Sequence, residues 1–91
     1  MEHRGNYSLR LAITIKTILE GSPSAMTTAE ITAAVMLRRS DRLNPHGRQT
    51  LRRNIVRIGK TLQSLGQIDM ELIPTVAKGK TYLFTLIRPT P

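Results

Sequence analysis

Ninety-one residues make room for one small domain and not for two independent cores. A hydrophobic fraction of 40% suits a folded chain, while no apolar run approaches the roughly 18–20 residues of a transmembrane helix. The absence of cysteine excludes disulfides, thiolate zinc sites and cysteine nucleophiles, and 14 Lys+Arg against 6 Asp+Glu, a net charge of +8, favours a polyanionic partner.

Residues 1–6 read as a disordered lead, with no signal-peptide core behind their charges. Tyr7, Leu11, Ile15 and Ile18 then fall on one face of a 3.6-period helix, predicted over 7–20. Gly21-Ser22-Pro23 stops it. Leu9 and Ile13 lie on the opposite face, where they either meet a partner chain, as in a homodimer through helix 1, or stay exposed. Ala25-Met26 suits a short extended segment. Thr27-Thr28-Ala29-Glu30 fits the capping box S/T-x-x-E, with Thr27 as N-cap. It opens a second helix over 28–38, whose Ile31, Ala34, Val35 and Arg38 share a face.

Arg39-Ser40-Asp41-Arg42-Leu43 is polar and irregular, and Asn44-Pro45 reads as an N-cap with proline at N1. Leu51, Ile55, Ile58, Leu62 and Leu65 follow at spacings of 4, 3, 4 and 3, which predicts a third helix over 45–65 ending at Gly66. These five should be buried. The opposite face holds Gln49, Arg53, Val56, Arg57 and Lys60, flanked by Arg52 and Gln63. Beyond Gly66 the period changes to 2. Ile68, Met70 and Leu72 alternate with Asp69 and Glu71, and Tyr82, Phe84 and Leu86 alternate with their neighbours. An antiparallel hairpin of about 67–73 with 81–87 results, its connection carrying Lys78-Gly79-Lys80. Such a hairpin must pack on the helices to be stable. The expected organisation is a lead at 1–6, one domain over 7–88 and a tail at 89–91.

The charge is concentrated. Arg38, Arg39, Arg42, Arg48, Arg52, Arg53, Arg57 and Lys60 fall within 23 residues and face only Asp41, so the rest of the chain is close to neutral. A face kept only for solubility would mix the signs. Arginine makes bidentate contacts to phosphate and guanine. A helix with one apolar stripe can be held to the body by that stripe. Its other face then offers Arg for guanine, Gln for adenine and Val for a thymine methyl.

The order helix, extended segment, helix, helix, strand, basic loop, strand resembles the winged helix-turn-helix family. The likeness rests on the capped helix Thr27–Arg38, the amphipathic helix Pro45–Leu65 and its exit Leu62-Gln63-Ser64-Leu65-Gly66-Gln67-Ile68, which reads like the family's L-x-x-L-G-x-I. The hairpin through Gly79 to Thr85 completes it. The resemblance implies an α+β fold, a three-helix core with a C-terminal β-hairpin wing. It also implies that helix 3 is the recognition helix, and that the chain binds duplex DNA, as many members do in dimers. The connection Arg39–Asn44 is longer than the family's usual turn.

The expected function is therefore sequence-specific binding of double-stranded DNA by a small cytoplasmic, nucleoid-associated transcriptional regulator. Its contacts would come from Arg39, Arg42, Arg48, Gln49, Arg52, Arg53, Val56, Arg57, Lys60, Lys78 and Lys80. Arg53 and Gln49 are assigned to bases, and Arg52, Arg57 and Lys60 to phosphates. Asp69 and Glu71 should face away from the nucleic acid. The rival reading is a winged-helix protein-interaction module, for example a phage- or plasmid-encoded inhibitor, using Leu9, Ile13 and Met36. Enzymatic activity is not expected: six acids lie scattered, and His3 and His46 have no nucleophile beside them. Nor is a metal, cofactor or small-molecule ligand. Three aromatics with core duties offer little to stack on single-stranded RNA, and the apolar stripe is needed inside rather than on a membrane surface.

Overall fold

The structure, a computed structural model, describes residues 2–39, 44–74 and 81–87, with side chains from Leu9 to Arg38, Asn44 to Pro74 and Thr81 to Ile87. Its elements are α1 (Glu2–Glu20), β1 (Met26–Thr27), α2 (Thr28–Arg39), α3 (Pro45–Ser64), β2 (Ile68–Ile73) and β3 (Thr81–Leu86). The layout is α+β, three helices and a three-stranded antiparallel sheet, and is consistent with a winged helix.

Helix α1 begins at Glu2, where a disordered lead was expected. The reason is cooperative: once a helix is nucleated over its apolar stripe, each further residue adds one hydrogen bond. Gly5 alone does not interrupt the run. Leu11, Ile15, Ile18 and Leu19 are buried, while Leu9 and Ile13 on the far side are 60% and 56% exposed. The Gly21 and Ser22 amides close the last turn on the Thr17 and Leu19 carbonyls. The side chain of Tyr7, assigned above to the buried face, lies outside the described residues.

The capping box forms as its residues dictate. The Glu30 amide donates to Thr27 Oγ1 at 3.2 Å, and the Thr27 amide donates to Glu30 Oε1 at 2.8 Å. Thr27 also ends β1, which adds to the free edge of β3 with Met26 opposite Phe84 and Thr27 opposite Leu83. A short extended segment was legible before the second helix; its partner was not. Thr28, fully buried, joins the same two elements. Its hydroxyl accepts from the Tyr82 amide at 3.0 Å and lies 3.3 Å from the Tyr82 carbonyl, to which it donates.

Helix α3 starts on Asn44, whose Oδ1 accepts from the Gly47 amide at 2.7 Å, with Pro45 in the first turn. It ends through Gly66, which takes a positive φ of 75° and donates to the Gln63 carbonyl. Leu51, Ile55, Ile58 and Leu62 are buried, as their spacing requires. Leu65 is not: it is 64% exposed. The helix ends at Ser64, and Leu65 is its C-cap, where the chain turns toward β2.

The sheet order is β1-β3-β2, with β2 and β3 paired from Ile68 opposite Leu86 to Ile73 opposite Thr81. Ile68, Met70 and Phe84 are buried, while Asp69 and Glu71, alternating with Ile68 and Met70 along β2, are exposed. Helix α3 crosses the sheet at Gly59, where an added Cβ would stand 2.6 Å from Phe84 Cε2 and 2.8 Å from Met70 Sδ. Only a glycine lets the backbone lie this close.

Candidate nucleic-acid interface

Helix α3 carries Arg48, Arg52, Arg53, Arg57 and Lys60 and no acidic residue over its 20 positions. Because one stripe is buried by the core, the 3.6-residue period fixes where the others go. Gln49, Arg53, Arg57 and Lys60 are exposed, about opposite the Leu51–Ile55–Ile58–Leu62 stripe, and Arg48 is exposed in the first turn. His46 and Thr50 share this outward side, with Thr50 Oγ1 donating to the His46 carbonyl at 3.1 Å.

The five cations differ in their surroundings. Arg52 is half-buried, and its Nη2 donates to Thr81 Oγ1 at 3.3 Å, at the first residue of β3. Lys60 Nζ lies over the Tyr82 ring, 5.5 Å from its centroid, inside the range of a cation–π contact. Arg57 Nη2 donates to Asn54 Oδ1 at 3.4 Å, within the helix. Arg48 and Arg53 are exposed. Two of the residues expected to touch phosphate thus also touch the first residues of β3, at the loop end of the paired strands, a relation that sequence spacing gives no sign of.

Val56, expected on the outward face, is half-buried and packs against the core. It sits on the side of α3 nearer the sheet, so the core takes part of its surface. Gln63, at the flank, donates from Nε2 to Asp69 Oδ1 at 3.5 Å and to the Met70 carbonyl at 3.4 Å, tying the end of α3 to β2. Arg42, Lys78, Gly79 and Lys80 lie outside the described residues, as does the side chain of Arg39. The structure therefore brings Gln49, Arg53, Arg57 and Lys60 onto one exposed side, leaves Arg48 exposed in the first turn away from that side, sets Arg52 and Val56 at its edge, and places no other candidate.

Neither a family model, nor a curated protein, nor a solved structure matches the chain. No helix among the described residues is long and apolar enough to cross a membrane.

Proposed function

We propose that the protein binds double-stranded DNA with the outward side of α3 in the major groove, as a small sequence-specific regulator. The observation that carries this reading is a 20-residue helix with five cations and no acid, whose cationic side faces solvent while its apolar stripe is used by the core. A helix of this kind fits the major groove, which is about 12 Å wide. Arg48 adds to the argument. A cation in the first helical turn is opposed by the helix dipole, and an anion at that end offsets the penalty.

Arg53 and Gln49 project from the middle of the exposed side and are assigned to base edges, Arg57 and Lys60 to phosphates. The wing lysines Lys78 and Lys80 would reach the backbone beside this site. Selection of bound fragments from a random duplex library tests the reading. A defined motif is expected, and Arg53→Ala or Gln49→Ala should blur it at one or two positions more than it lowers non-specific affinity. Recovery of no enriched motif would remove the sequence-specific part of the proposal.

A second reading has its own observation. Leu9 and Ile13, one turn apart on α1, are more than half exposed, which suits a protein contact, either a homodimer through α1 or the module that acts on a partner protein. Sedimentation of the wild type beside Ile13→Lys distinguishes these: a dimer lost in the variant supports the first, a monomer in both the second.

A further inference from the structure

We infer that Thr50 is a specificity-determining residue of α3 and that it reads a thymine, its methyl group packing on the thymine C5-methyl in the major groove. The inference rests on the proposal that the outward side of α3 binds duplex DNA, and it names part of the sequence which that side prefers.

In the major groove thymine shows an O4 acceptor and a C5-methyl group, and the methyl is recognised by an apolar contact. Val56 is the aliphatic side chain that spacing offers for this contact, and the structure withdraws it, because Val56 is half-buried and packed against the core. From Pro45 to Arg53, the outward side of α3 consists of His46, Gln49, Thr50 and Arg53, all of them exposed. Thr50 alone among these four carries a methyl group.

Placement and chemistry agree. Thr50 stands three residues before Arg53 and four after His46, the spacings of neighbours on a helix surface. One residue, a rise of about 1.5 Å, separates it from Gln49 along the helix axis. It is thus set between the two side chains assigned to base edges. Its hydroxyl is used locally: Oγ1 donates to the His46 carbonyl at 3.1 Å. The side chain then has no hydrogen left to donate, so a guanine edge, which shows only acceptors in the major groove, gives it nothing to bond. With Oγ1 held against the His46 carbonyl, the methyl is the group left for a base. Thr61 makes the same bond, to the Arg57 carbonyl at 3.3 Å. It lies at the far end of α3, however, close to Gln63 and its ties to β2.

The test uses the site recovered by selection from a random duplex library. Each thymine of that site is replaced in turn by uracil, which lacks only the C5-methyl. Affinity is measured by fluorescence anisotropy for wild type, Thr50→Ser and Thr50→Val. Serine keeps the hydroxyl without the methyl, and valine keeps a methyl without the hydroxyl. The wild type should lose about fourfold at one thymine, the worth of one buried methyl-sized group. Thr50→Ser should bind the thymine site about fourfold less tightly than wild type and lose nothing further with uracil at that position. Thr50→Val should keep the loss. Because Thr50 is exposed, both variants keep the fold, which far-UV circular dichroism checks. If no uracil weakens the wild type, or if the loss persists in Thr50→Ser or disappears in Thr50→Val, the assignment of Thr50 is overturned while the DNA reading stands. Failure of the wild type to bind duplex, or to select any motif, overturns the sequence-specific reading and the assignment together.

Discussion

Replacing Gly59 with alanine probes how closely α3 lies on the sheet. The new Cβ would meet Phe84 Cε2 at 2.6 Å, Met70 Sδ at 2.8 Å and Phe84 Cζ at 3.3 Å. Ordinary carbon contacts are about 3.5–4.0 Å, so the ring and helix must separate by about 1 Å. The Met70 thioether is the end of a flexible chain and can swing aside. Phe84 is fully buried among Ile, Leu and Met side chains and has nowhere to go without moving its neighbours. Overpacking of this kind costs about 1–3 kcal/mol, and alanine's better helix propensity returns up to about 1 kcal/mol. The expected net loss is about 1–2 kcal/mol, which lowers the melting temperature of a domain this size by roughly 5–15 °C. Thermal and urea denaturation followed by far-UV circular dichroism measure it. Gly66→Ala is the contrast: its Cβ meets nothing within 4 Å, so its loss, about 1 kcal/mol, comes only from the left-handed backbone. An unchanged or raised melting temperature in Gly59→Ala would refute the close crossing of α3 and the sheet.

Ile55→Ala, at a fully buried position of the α3 stripe, should cost about 2–5 kcal/mol in a urea titration, enough to unfold much of a marginally stable domain. Thr28→Val should cost about 1–3 kcal/mol, because the partly buried Tyr82 amide loses its acceptor; a neutral result would mean that amide is satisfied otherwise. Leu65→Gln should change stability by less than about 0.5 kcal/mol, as exposed positions do, whereas burial of Leu65 would show as a loss of several times that. Lys78→Ala/Lys80→Ala should weaken duplex binding by about 1–3 kcal/mol at low salt with the melting temperature nearly unchanged; equal affinity would mean that α3 binds without the wing.

The helices were legible because their signals are local. Asn44 ahead of Pro45, Gly66 behind the last turn, and the Thr27–Glu30 box each satisfy backbone groups within four residues, so sequence spacing suffices to find them. The stripe from Leu51 to Leu62 follows from periodicity alone. What was not legible depends on which elements meet. Leu65 continues the stripe's spacing but stands beyond the last turn, where it stays mostly exposed. Gly59 has no side chain to contribute to a periodic pattern, yet it sets the distance between helix and sheet. Val56 and Arg52 lie at the border between the core and solvent faces, and only the position of β3 decides how much of each is covered. The same limit holds for the candidate site. Composition located the cations on one helix, whereas their division between free side chains and hairpin contacts required the hairpin itself.

The central claim is that the outward side of α3 binds duplex DNA, and the most direct test is the salt dependence of binding to a random-sequence duplex, followed by fluorescence anisotropy. Each phosphate neutralised contributes a slope of about −0.9 to the plot of log K against log salt. The account predicts a steep fall for the wild type, corresponding to several contacts, and a slope shallower by about two contacts in Arg57→Ala/Lys60→Ala, with far-UV circular dichroism unchanged. Binding that is absent, or equally steep in wild type and in the folded double variant, would contradict the assignment of α3 as the DNA-binding surface.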